Sequence, residues 1–136
     1  MASKNYFIST TPHLDLFMIS HEIRLTLREG QVDTGYVLVS LPTGGAGLLV
    51  IEKGADSDIK KLISQETTKV LLRILLPKAT VLPVEKGKLL MDPWQEVYLV
   101  DYDNSGRRRE FWVQTFSSGG AALPAAGAGG NPPMMM

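Results

Sequence analysis

The sequence has no cysteine and only two histidines. The first absence excludes disulfides, thiolate metal sites and thiol nucleophiles. The second excludes a histidine-rich metal cage within one chain. An excess of either charge is also missing, since 14 Lys and Arg balance 14 Asp and Glu. Tight nucleic-acid binding draws its affinity from basic side chains that neutralise phosphates, and a neutral chain lacks that footprint. Long hydrophobic runs are absent as well. The longest weakly polar stretches, Gly44 to Ile51 and Val70 to Pro77, fall far short of the roughly 20 residues that cross a bilayer. MASKNYFIST at the N-terminus has no apolar run after its Lys, so no secretory signal is expected. Freedom from cysteine suits a reducing compartment, and the expected location is cytoplasmic.

What is present is unevenly spread. Residues Ser117 to Met136 read SSGGAALPAAGAGGNPPMMM and carry no charged side chain. They hold five of the 13 Gly and three of the eight Pro, a mixture that cannot bury enough apolar surface to offset its ordering entropy. The expectation is one domain over residues 1–116 and a disordered tail over 117–136. A real hydrophobic core is feasible at that domain length.

Within the domain, Tyr6 to Ile8 and the alternating Leu14, Leu16 and Met18 read as short strands. Ser20 suits an N-cap and Glu22 the first helical turn. Ile23 and Leu27 share a face, and Gly30 suits the left-handed position that ends a helix over about 21–29. Thr34 to Leu41 reads as a buried strand, Pro42 to Gly47 as a tight connection and Leu48 to Lys53 as the next strand. Asp56 to Gln65, with Ile59, Leu62 and Ile63 on one face, reads as an amphipathic helix. Val70 to Leu76 is ambiguous between helix and strand. Ala79 to Val84 and Lys88 to Met91 flank a turn at Glu85 to Gly87. Gln95 to Asp101 and Arg107 to Phe116 alternate about Asp103-Asn104-Ser105-Gly106, which reads as a hairpin turn. The fold class expected is mainly β with two helices (α+β), in a β-sandwich-like arrangement.

Several residues could carry chemistry. Successive glycines at Gly44 and Gly45 allow backbone N–H groups to converge on an anion, although Leu48 stands where a phosphate-binding Walker loop needs Lys. A tight strand connection uses the same glycines. Trp94 and Gln95 can form a pocket wall and a polar anchor, or serve packing and an interface. Glu52 and Glu85 are either an acid/base pair or two surface acids. Arg107 and Arg109 share a strand face and suit a phosphate, or salt bridges to Asp101, Asp103 and Glu110. His13 and His21 are isolated. Met134 to Met136 has the softness that Cu(I) prefers, within a segment that reads as a tail end.

ATVLPVEKGKLLMDPWQEVYLVDYDNSGRRREFWVQTF resembles the YjbQ family, also called the secondary thiamine-phosphate synthase family. Its members read like PV-x-x-G-x-L-x-x-G-T-W-Q-x-I-x-L-x-E-x-D before a basic hairpin. Pro83-Val84, Gly87, Leu89, Trp94-Gln95, Leu99 and Asp103 fall in register, with Asp101 at the family's Glu and Val97 at its Ile. The resemblance extends over about Phe7 to Phe116. It implies a β-sandwich-type protomer that assembles as a homotrimer, a metal-dependent site near the family's histidines and, in some members, thiamine-phosphate synthase activity. The family's motif histidine falls on Thr43, its Thr-Ser pair on Gly44 and Gly45, and a second histidine on Val70. Of its Asn-Glu pair, falling on Ile51 and Glu52, only the acid persists. The Gly-Thr before Trp-Gln is Asp92-Pro93 here. A diverged homotrimer without the metal-dependent activity is therefore expected, with no cofactor. The alternative is an enzyme or binding protein for a small phosphorylated ligand, with a site rebuilt from Thr43, Gly44, Gly45, Glu52, Trp94, Gln95, Arg107 and Arg109.

Overall fold

The computed structural model describes residues 1–63, 66–103 and 106–118. Eight strands and three helices follow one another: β1 (Ser3–Ser9), β2 (Asp15–Met18), α1 (Ser20–Gly30), β3 (Gly35–Ser40), β4 (Ala46–Glu52), α2 (Asp56–Ile63), α3 (Glu66–Leu75), β5 (Ala79–Glu85), β6 (Lys88–Leu89), β7 (Gln95–Asp101) and β8 (Arg108–Ser117). All pairings are antiparallel. One sheet runs β1-β8-β3-β5-β6 and the other β2-β7-β4. The expected tail falls largely on 119–136, outside the described residues. β8 continues through Ser117, and the Ser118 N–H donates to the Thr34 carbonyl at 2.9 Å.

Period-two alternation explains the layers. On β7, Val97 and Leu99 join a core with Val37, Val39, Phe111 and Val113 of the other sheet and with Ile23 and Leu27 of α1. Val100 and Tyr102 instead meet Leu72 of α3, with Ile59 of α2 against the same cluster. A strand covered on both faces is buried along its length, and Val97 to Asp101 are. Tyr98 lies in this run. Burial, followed by the charges of Asp56 and Glu96, raises its phenol above the ordinary value of 10.0.

Four sequence expectations need correction. Val70 to Leu75 is helical, so there are three helices rather than two. Leu72 and Leu76 stand four residues apart and meet Val100 and Tyr102 together, which helical spacing allows. Ser20 does not cap α1. The capping position is Ile19, and the Ser20 hydroxyl accepts the Val97 N–H at 2.7 Å. Gly30 remains helical while Gln31 takes the left-handed conformation at φ 52°. Glycine is needed at position 30 for close approach, because a Cβ there would collide with the Thr115 hydroxyl. Finally, β7 and β8 do not form a hairpin. Each is central in its own sheet, with both edges already paired, so the connection between them crosses from one sheet to the other. Its Asn104 and Ser105 lie outside the described residues.

Candidate functional site

The crossing from β7 to β8 places two charges between the sheets. Asp101 shares the inward face of β7 with Val97 and Leu99, and Arg109 shares the inward face of β8 with Phe111 and Val113. Both side chains are 0% exposed, and Arg109 Nη2 donates to Asp101 Oδ1 at 3.2 Å. Asp101 Oδ1 also accepts the Asp103 N–H at 3.1 Å. Asp101 Oδ2 and Arg109 Nε have no hydrogen-bond partner among the described residues. Removing such groups from water costs several kcal/mol per ion, so this pair is poorly explained as a stabilising device. Its consequence is positional, because it fixes a guanidinium at one end of the core.

That guanidinium holds the glycine loop. Arg109 Nη1 donates to the Thr43 hydroxyl at 3.0 Å and to the Gly44 carbonyl. The Gly45 carbonyl accepts the Tyr102 N–H at 3.0 Å. Gly45 sits at φ +88°, and a Cβ there would stand 2.8 Å from Asp103 Cβ and 3.1 Å from Arg109 Nη2. Glycine thus supplies both the dihedral and the space. Asp103 bonds Arg107 Nη2 at 2.6 Å and lies 3.7 Å from Arg109 Nη2.

Sequence reasoning overlooked Lys78 and Arg73. The Pro77 carbonyl accepts the Leu48 N–H at 2.9 Å and the Lys78 carbonyl accepts the Leu41 N–H at 2.7 Å, so this segment is tied to both ends of the glycine loop. Lys78 Nζ consequently stands 3.6 Å from where a Gly44 Cβ would be. Gly45, Arg73, Lys78, Tyr102 and Asp103 line a cleft of about 360 Å³. Lys78 and Arg73 are exposed and have no ion-pair partner among the described residues. Arg73, Lys78, Arg107 and Arg109 make four cations at this end, against the two carboxylates of Asp101 and Asp103. An anion is the ligand such a balance favours. Asp101 was signalled by its place in the Val97, Leu99, Asp101 alternation, by its reading as a salt-bridge partner of Arg107 and Arg109, and by the family resemblance. Nothing in the local sequence links Lys78 to Gly44.

The remaining candidates lie elsewhere. Glu52 is opposite Gln95 at the far end of the β4–β7 pair, and the Lys53 N–H donates to the Trp94 carbonyl at 2.7 Å. The length of β4, about 20 Å, separates Glu52, Trp94 and Gln95 from the glycine loop. Trp94 is 73% exposed, so it is not a core residue. Glu85 ends β5 in the other sheet, opposite Lys88. His13, between β1 and β2, and His21, in the first turn of α1, are both exposed.

The resemblance implies a metal near Thr43, and the residues present do not fit one. Among the described residues no group of three His, Cys, Asp or Glu could hold an ion. The Thr43 hydroxyl is engaged by a guanidinium, whose fixed positive charge opposes a cation there. Val70 has no donor atom on its side chain and lies exposed on α3.

Residues 64–118 match the family model described as UPF0047 protein YjbQ-like. No curated protein matches the chain. Solved structures do. An uncharacterized conserved protein of the YjbQ/UPF0047 family from Clostridium acetobutylicum is 22% identical, with a TM-score of 0.73 over 83% of this chain and 99% of that one. A YbjQ-like protein of unknown function from Sulfolobus solfataricus P2 is 21% identical, with a TM-score of 0.73 over 85% and 96%. A hypothetical protein from Aeropyrum pernix K1 is 18% identical, with a TM-score of 0.75 over 87% and 100%. The resemblance read from the sequence therefore holds, and the fold is that of YjbQ-like structures. Among the described residues no helix is long and apolar enough to cross a membrane.

Proposed function

We propose that this YjbQ-like chain is a diverged homotrimer whose glycine-loop end binds a small phosphorylated anion without a metal. The observation that carries this reading is the buried Arg109 guanidinium seated on Thr43 and Gly44. Where the family resemblance implies an imidazole and a cation, this end presents fixed positive charge, glycine backbone and the exposed cations Arg73 and Lys78. Thiamine-phosphate synthase activity of the metal-dependent kind does not carry over. A ligand that binds only the native state raises its melting temperature. Millimolar pyrophosphate should therefore raise the melting temperature of the purified protein. The rise should vanish in Arg73→Gln/Lys78→Gln and be indifferent to a chelator. A rise that needs added divalent metal, or that survives the double substitution, would count against the anion cleft.

Support for self-association comes from apolar surface. Tyr36 stacks on Phe116 with ring centroids 4.9 Å apart on the outer face of the five-stranded sheet, where Val81 is 56% exposed. Patches of this kind mark association surfaces. Light scattering should report three times the 14.9 kDa of one chain. A stable monomer at micromolar concentration removes the trimer.

A further inference from the structure

A second cavity lies on the other side of the core, away from the glycine loop. It has a volume of about 470 Å³ and is enclosed by α1 on one side and by the β5–β6 turn and the β6–β7 connection on the other. Its lining divides by chemistry. Leu27, Leu89, Met91 and Pro93 form an apolar floor, with Leu27 buried and Leu89 and Met91 half-buried against the main core. Arg24, Arg28 and Lys88 stand around it.

Helical spacing accounts for three of these residues. Arg24, Leu27 and Arg28 are related by three and four positions, so one face of α1 presents an apolar contact between two guanidiniums. Like charges four apart oppose helix formation slightly. The fold relieves one of them, since Arg24 Nη1 bonds Glu96 Oε1 at 3.1 Å. Arg28 and Lys88 have no ion-pair partner among the described residues. Arg28 lies in the last turn of α1, where the helix dipole favours a cation and itself disfavours an anion. The lining's one acid, Asp92, spends Oδ1 on the Trp94 N–H at 3.0 Å. The lining thus holds three cations and one acid around an apolar floor, with Arg24 already bonded to Glu96 outside it.

The turn that shapes the far wall is locally fixed. Lys86 and Gly87 have φ 53° and 75°, the paired left-handed residues of a tight two-residue hairpin, and the Gly87 N–H donates to the Asp33 carbonyl at 3.0 Å. Lys88 is thereby held at the cavity's edge on β6, opposite Glu85 of β5 in register but without an ion pair to it among the described residues. Concave apolar sites with a few placed polar groups are how small organic ligands are held.

We propose that this cavity binds a small organic phosphate, with its apolar body on Leu27, Leu89 and Met91 and its phosphate between Arg28 and Lys88. Guanidinium and ammonium donors suit that head group, and the floor distinguishes it from inorganic phosphate. The site is separate from the glycine-loop cleft, and the two stand or fall independently.

Methyl-resolved NMR of the full chain with phenyl phosphate tests it. Saturable shifts are expected at the methyl groups of Leu27, Leu89 and Met91. Phenol and inorganic phosphate should each bind at least about tenfold more weakly. Arg28→Gln and Lys88→Gln should each weaken phenyl phosphate by about tenfold, while Arg73→Gln/Lys78→Gln should leave these shifts unchanged. No saturable shift at the three residues, an equal response to phenol alone, or indifference to both single substitutions would overturn the proposal.

Discussion

Replacing Arg109 by Met is expected to cost about 3–5 kcal/mol of folding stability, read from denaturant midpoints. Among the described residues, the substitution leaves the Asp101 carboxylate at 0% exposure with only the Asp103 N–H donating to it. It also releases Thr43 and Gly44 from the guanidinium that holds them. A domain of this size has a net stability of only about 5–15 kcal/mol, so the variant should sit near the edge of folding. The partner change sharpens the test. Arg109→Met combined with Asp101→Leu removes both charges, and apolar replacements of buried ion pairs are often neutral. The double variant should therefore be more stable than Arg109→Met alone, a sign reversal that independent sites cannot produce. It should nevertheless lose the pyrophosphate response, because the loop anchor is gone. A double variant no more stable than the single one would mean that Arg109 acts by packing rather than by charge.

Gly45→Ala should be the most damaging small substitution in the loop. An Ala at φ +88° incurs backbone strain of about 1–2 kcal/mol. Its methyl would also press on Asp103 and on Arg109 Nη2, and displacing well-packed neighbours adds about 1–3 kcal/mol. Gly54→Ala is the internal control. Gly54 has φ +97° and nothing within 4 Å of an added Cβ, so it bears the strain alone. The difference between the two melting curves isolates the contact with the ion-pair network. Equal losses would show that Gly45 is kept for its dihedral and not for the site.

Much of this was legible in the sequence wherever one local rule decided the outcome. Alternation located β7 and β8, and the same alternation placed Arg107 and Arg109 apart from Arg108. Arg108 does point outward, with its guanidinium 3.8 Å from the Phe7 ring centroid. The errors arose where tertiary context overruled a local signal. Asp103 to Gly106 has hairpin chemistry, yet β1 and β3 occupy the edges of β8 while β2 and β4 occupy those of β7. Gly30 has the chemistry of a helix terminus but serves the close approach of α1 to Thr115. The grouping of the candidate residues was legible in part for the same reason. Thr43, Gly44, Gly45 and Arg109 were named, and the fold brings them together. Glu52, Trp94 and Gln95 were named beside them, and the length of β4 keeps them away. Lys78 was invisible because its place next to Gly44 depends on two backbone hydrogen bonds, Leu48 to Pro77 and Leu41 to Lys78, between segments roughly 30 to 40 residues apart in the chain.

On the proposed reading, the glycine-loop end is an anion cleft and not a metal site. Anomalous diffraction from crystals soaked in parallel with tungstate and with zinc tests it most directly. Tungstate is a tetrahedral oxyanion of phosphate-like shape, and both elements are located by their own scattering. Tungstate is expected between Arg73, Lys78 and the Gly44–Gly45 backbone, with no zinc at Thr43. Zinc bound at Thr43, with tungstate absent from the cleft, would contradict it.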